Sequence, residues 1–155
     1  MNNKGQLSVE YILMLSIIII ILISSISMIS DEFEKNTILT AAQFGAQNGI
    51  DKNGYAMYYN DTFNHYQNDY PKLLTSTEIK LIKIELYENN TTLELQVYAH
   101  SNALSAPEKN IVGARINYYI RKSVSETFNS TPCNIFYDPT KSNKYVIKTK
   151  SVIWL

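Results

Sequence analysis

The sequence predicts an α+β protein: a long hydrophobic N-terminal α-helix followed by a head built on an antiparallel β-sheet. Three observations carry this. Residues Tyr11 to Ser30 hold no charged side chain and include Ile17-Ile18-Ile19-Ile20-Ile21. From Gln6 to Phe44, 39 residues, there is neither glycine nor proline, the two residues that most readily break a helix. Downstream, Leu93, Leu95, Val97 and Ala99 alternate with Glu94, Gln96 and Tyr98, the period-two pattern of a strand with one buried face.

The helix comes first. Twenty uncharged residues at a helical rise of about 1.5 Å per residue cover a hydrocarbon core of roughly 30 Å. Beyond Ser30 the pattern becomes one-sided, with Phe33, Ile38, Leu39, Ala41, Ala42, Gly45, Ala46 and Gly49 set against Glu34, Lys35, Gln43 and Gln47. A helix over 6–50 is expected, apolar all round over 6–30 and amphipathic afterwards. A soluble protein has no means of hiding the first half, so a membrane or a bundle of like helices must cover it. Ala41, Gly45 and Gly49 recur every four residues, as do Ala42 and Ala46. That flat face is expected to pack on the chain's own sheet, with contact between subunits as the alternative. Ser16, Ser24, Ser25, Ser27 and Ser30 can donate to their own i−4 carbonyls, so they need not imply a polar pore.

The head, 51–155, begins where the helical pattern fades at Asp51-Lys52-Asn53-Gly54. That tetrapeptide reads as a turn, because a calcium loop would need a later acidic ligand that is missing. Tyr55 to Asn68 reads as a second helix or a Tyr-rich loop, closed by Pro71. Ile79–Tyr87 and Thr92–Ala99 flank Asn89-Asn90 and predict an antiparallel hairpin. Ala114, Ile116, Tyr118 and Ile120 alternate with Arg115, Asn117, Tyr119 and Arg121, which suggests a third strand, with a helix from Pro107 as the alternative. Tyr145 to Leu155 supplies the last strand, anchored by Trp154.

Composition narrows the function. The 155 residues allow one modest domain besides the apolar segment, and 14 Lys and Arg against 14 Asp and Glu give no electrostatic footprint for nucleic acid. The single cysteine, Cys133, excludes an internal disulfide; it reads as a small buried apolar residue, with a reactive or intermolecular thiol as the alternative. The two histidines, His65 and His100, have no ligand-spaced partners, so no metal site and no cofactor are expected. No phosphate-binding glycine loop and no nucleophile in a recognisable setting occurs, and the chain is read as no enzyme. Twelve Tyr and 16 Asn suit a surface of rigid amphipathic rings and hydrogen-bonding amides. Asn60, Asn89, Asn90 and Asn129 each open an Asn-x-Ser/Thr triplet, which fits glycosylation on an extracytoplasmic face.

The N-terminus carries the functional signal. Lys4 precedes the apolar stretch and Asp31, Glu32 and Glu34 follow it, so positive-inside logic leaves the N-terminus cytoplasmic and the head outside. A cleaved secretory signal would need a short core with a small-residue site beyond it, for which Ser24-Ser25-Ile26-Ser27 is a loose fit. A plain signal anchor fits the length and orientation. Both readings leave Glu10 unexplained, although a carboxylate inside an apolar helix costs about 2.5–3.5 kcal/mol at mid-membrane, and less near the interface.

Gly5-Gln6-Leu7-Ser8-Val9-Glu10, behind Lys4 and ahead of the apolar run, resembles the class III signal peptide of archaeal type IV pilins of the methanogen type. The close likeness covers Lys4 to about Leu15, with a compatible helix to residue 30. The resemblance implies that a prepilin peptidase cuts between Gly5 and Gln6 in a Gln-x-Ser-x-Glu pattern, releasing a 1–5 leader. Gly5, Gln6 and Ser8 then form the processing site, and Glu10 becomes the fifth residue of the mature chain. It further implies that Glu10 pairs with the free Gln6 amine of a neighbouring subunit and sets the axial register. Pilus assembly machinery would extract the chain from the membrane into a homo- or hetero-filament used for adhesion. The competing readings are a membrane-anchored surface binding protein that never polymerises, and an archaellin, whose signal lacks the Gln-x-Ser-x-Glu pattern. An interfacial Glu10 that only snorkels to headgroups is the plainest alternative for that residue.

Overall fold

The structure, a computed structural model, describes residues 3–52, 69, 73 and 78–155. The segment read as a second helix or Tyr-rich loop, Tyr55 to Asn68, lies outside the described residues, and so do Asn60, His65 and Pro71. Helix α1 spans Asn3–Asp51, 49 residues. The chain divides into two compact units, Met1–Thr37 and Ile38–Leu155. In the first unit α1 is the apolar helix, with Asp31 and Glu32 beside Lys35 at 2.9 and 3.8 Å where the uncharged stretch ends.

The second unit contains the rest of α1, then β1 (Lys80–Asn89), β2 (Thr92–His100), α2 (Ala106–Thr127), β3 (Thr140–Lys141), β4 (Val146–Thr149) and β5 (Ile153–Trp154). The fold is α+β, with the long helix followed by a sheet, as expected. The predicted hairpin forms, with Glu85 opposite Gln96 and Leu86 opposite Leu95. Asn90 turns it at φ 54°, the left-handed region that asparagine tolerates better than most residues. A bulge between Leu81 and Lys83 accommodates Ile82.

The sheet is mixed. Its order is β1-β2-β4-β3, and β5 pairs with β2 further along the same edge. β1–β2 and β3–β4 are antiparallel, whereas β4 and β5 run parallel to β2. The cause is the element between them. Parallel neighbours need a crossover, and a helix supplies it.

That helix replaces the third strand suggested over Ala114–Arg121. Pro107 stands in its first turn, where its missing N–H costs nothing. Glu108 Oε2 accepts from the Ser105 backbone N–H (2.7 Å) and hydroxyl (2.6 Å), and such caps contribute about 1 kcal/mol. Val112, Ile116, Ile120 and Val124 recur every four residues and are fully buried.

The last predicted strand is split into β4 and β5. Between them the backbone leaves the ladder and amide side chains stitch it back. Gln96 Nε2 donates to the Ser151 carbonyl (2.7 Å), and Asn117 Nδ2 donates to that of Lys150 (2.8 Å). Trp154 pairs with Ala99, and the His100 ring bonds the Leu155 oxygen.

The core joins Ile38, Ala42 and Ala46 of α1 with Leu93, Leu95 and Val97 of β2, the buried row of α2, and Ile147. Each fully buried aliphatic side chain contributes about 1.5–3 kcal/mol. On the flat face of α1, Gly45 and Gly49 lie against α2, not against the sheet as expected, whereas Ala42 and Ala46 join the core shared with β2. An added Cβ at Gly45 would stand 2.5 Å from the Tyr119 carbonyl oxygen, and one at Gly49 would stand 2.8 Å from Ile116 Cα.

Cys133 is exposed, which corrects its reading as a buried apolar residue. It sits in the loop after α2, which Asn134 organises. Asn134 Oδ1 accepts from the Phe136 and Asp138 N–H groups (2.9 and 3.2 Å), and Nδ2 donates to the Asp138 carbonyl (2.7 Å). With its backbone turned on itself, the loop leaves Ile135 and Phe136 outside the core as well.

Candidate functional site

Every residue from Val9 to Ser30 is exposed in the isolated chain. Large apolar side chains on all sides of the helix show between 46% (Ile18, Ile19) and 73% (Met28) of their surface. No face is reserved for the protein's own core, which distinguishes this segment from a buried core helix. By length and composition it can cross a membrane.

Three of the five serines between Tyr11 and Ser30 bond within the helix. Ser16, Ser24 and Ser25 donate to the carbonyls of Ile12, Ile20 and Ile21 at 2.8, 3.0 and 2.8 Å, the i−4 bonding open to serine. Glu10 places a carboxylate on the same exposed apolar surface. Gly5, Gln6 and Ser8 lie in the first turns of α1, and Gln6 precedes Glu10 by four residues, about one helical turn.

Residues 3–29 match the family model of the class III signal peptide. The matched span takes in Gly5, Gln6, Ser8, Glu10 and the charge-free run as far as Ile29. No curated protein and no solved structure matches the chain. The signal supports a type IV pilin-like or archaellin-like secreted subunit. With a helix able to cross a membrane, it also supports a membrane-anchored, surface-exposed protein.

The other predicted positions lie elsewhere. Asn89 and Asn90 are exposed at the hairpin tip, and Asn129 is exposed just beyond α2 at φ 49°. Among the described residues no group of three His, Cys, Asp or Glu is placed to hold a metal ion.

Sequence reasoning passed over a polar cluster on the outer face of the hairpin. Glu85 Oε1 accepts from Lys83 Nζ (2.6 Å), and Oε2 accepts from the hydroxyls of Tyr87 (2.6 Å) and Tyr98 (2.9 Å). Lys83 also stands 4.6 Å from the centre of the Tyr98 ring. The signal was present in Lys83, Glu85 and Tyr87, which alternate on one strand. Lys83 above all, and then the two phenols, hold the Glu85 carboxyl at about 2; the same bonds raise Lys83 and Tyr87 above their ordinary values. A carboxyl with a depressed folded-state pKa stabilises the fold above its unfolded value and loses that contribution as pH falls through the folded one. Carboxyl NMR should therefore show Glu85 titrating near pH 2. Thermal unfolding should lose a Glu85-dependent share of stability between about pH 4.5 and 2, a share absent from Glu85→Gln. An ordinary midpoint for Glu85 would disprove the cluster.

Proposed function

We propose that this chain is an archaeal type IV pilin-like structural subunit, cut by a prepilin peptidase before Gln6 and assembled into a surface filament for attachment. The observation that carries the reading is the class III signal match, which contains Gln6, Ser8 and Glu10 at the expected spacing and continues into a helix with no self-covered face. On this reading residues 1–5 are the leader, 6–50 the long helix and 51–155 the extracellular head.

Before assembly the bilayer covers the helix over 6–30, with the N-terminus cytoplasmic. In the filament, like helices from neighbouring subunits cover it. Glu10 is what turns a greasy helix into a specific one. Its charge is tolerable in an apolar bundle only when a cation meets it, and cleavage creates one at the Gln6 amine. Pairing in trans would fix how far each subunit rises past the last. Glycans on Asn60, Asn89, Asn90 or Asn129 would decorate the head.

The test is the N-terminus of the native protein, read by mass spectrometry in cells with and without prepilin peptidase. We expect a chain beginning at Gln6 when the peptidase is present and an uncut leader when it is absent. The same start in both strains would leave a simple signal anchor and remove the basis for assembly.

A further inference from the structure

A cleft of about 370 Å³ opens between α2 and the β4–β5 segment. Lys109, Gly113, Asn117 and Arg121 line it from α2 at four-residue intervals, so its two cations are twelve residues, roughly 18 Å, apart along the helix. No carboxylate lines it among the described residues. A Cβ at Gly113 would meet that of Val152 at 3.3 Å and Trp154 Nε1 at 3.8 Å, so glycine keeps this part of the cleft open.

Three lining groups have capacity to spare. Asn117 is only 8% exposed; its Nδ2 is bonded to Lys150, but its Oδ1 is buried without a hydrogen-bond partner. A buried carbonyl in that position lacks a donor. Arg121 donates Nε to the Phe136 carbonyl (3.0 Å) and Nη1 to Thr149 Oγ1 (2.6 Å), which fixes the guanidinium and leaves further N–H groups for an anion. Its partial burial disfavours the charged form, with Asp138 acting in the opposite sense. Lys109 lies 5.8 Å from the centre of the half-buried Trp154 ring.

We propose that this cleft binds an acidic oligosaccharide. Its carboxylates would meet Lys109 and Arg121, a hydroxyl would donate to Asn117 Oδ1, and the C–H face of a ring would lie against Trp154. Sulfate has no hydroxyl donor, no small inorganic anion has the length to reach both cations, and a neutral glycan leaves both unused. The proposal does not depend on filament assembly, and its test is made on unassembled protein.

Trp154 is the only tryptophan in the chain, among 12 tyrosines, so fluorescence excited at the red edge, where tyrosine does not absorb, reports on this cleft. The full chain in detergent micelles is titrated with trigalacturonate, maltotriose, sodium sulfate and hexaglutamate. We expect a saturable response to trigalacturonate, weakened roughly tenfold in Lys109→Gln and in Arg121→Gln, each a lost charge-assisted contact. Thermal unfolding checks that both variants fold; should Arg121→Gln not fold, Lys109→Gln decides alone. Equal response to sulfate would mean an adventitious ion only, and tighter binding of hexaglutamate would make the cleft a peptide groove. Either result overturns the proposal, as does equal binding of maltotriose, an affinity that Lys109→Gln leaves unchanged, or no saturable response.

Discussion

Glu10→Ala should strip the subunit from filaments while leaving it in the membrane. The two effects have opposite signs because the carboxylate has opposite consequences in the two environments. In the bilayer it is a burden of at most about 2.5–3.5 kcal/mol, so its removal favours insertion. In a packed bundle its loss leaves the neighbouring Gln6 amine without a counter-charge, and breaking one side of a buried pair costs about 3–5 kcal/mol. That corresponds to more than a hundredfold weaker incorporation per contact. Quantifying the subunit in sheared filaments and in membranes separates the outcomes. Glu10→Gln should behave like alanine, whereas Glu10→Asp keeps the charge but shortens its reach and should incorporate at an intermediate level. Wild-type incorporation of Glu10→Ala would remove the pairing mechanism. If the chain is a non-polymerising anchor, none of the three variants will alter its distribution.

What the sequence made legible depended on whether one local pattern had one cause. The membrane-length helix was readable because twenty uncharged residues allow few alternatives. The hairpin was readable because Leu93, Leu95, Val97 and Ala99 face one side and their neighbours the other. The stretch around Ile116 was ambiguous in a short window, since Ile116 and Ile120 fit both a two-residue and a four-residue repeat. Lys122 and Asn110, which a two-residue repeat would place on the buried row beside Val124 and Val112, together with the Ser105-Ala106-Pro107-Glu108 start signal, separate the two. The parallel pairing of β4 with β2 followed from that helix and was misread along with it. The cleft was illegible for another reason. Lys109, Asn117, Arg121 and Trp154 are drawn from two distant segments, and only the parallel return of the chain sets them on facing walls. The N-terminal signal is contiguous, so sequence reading reached Gln6 and Glu10 without any tertiary information.

Gly45→Ala should destabilise the head more than a change of one methyl group suggests. In an open helix this substitution gains about 0.8–1.0 kcal/mol from propensity alone. Here the new Cβ would fall 2.5 Å from Tyr119 O, 2.7 Å from Ile120 Cα and 2.9 Å from Ile120 N. All three atoms belong to backbone, so no rotamer change relieves the contact. α1 and α2 must move apart, and the separation loosens the packing of Ala42, Ala46 and Ile116 on either side. Overpacking of this kind costs typically about 1–3 kcal/mol, and adding the loss of neighbouring contacts we expect a net loss of about 2 kcal/mol. For a unit of this size that lowers the melting temperature by roughly 10 °C. Gly49→Ala, with its contact to Ile116 Cα at 2.8 Å, should lose less, because only one backbone atom lies closer than 3 Å. Gly113→Ala is the internal control. Its nearest neighbours are Cβ and Cγ2 of Val152 at 3.3 and 3.4 Å, a contact that a small shift relieves, so the propensity gain should leave stability near wild type. Melting curves for the three variants in the same detergent should therefore rank Gly113→Ala above Gly49→Ala above Gly45→Ala. If Gly45→Ala melts with Gly113→Ala, the two helices do not meet backbone to backbone, and the small residues of α1 serve some other contact.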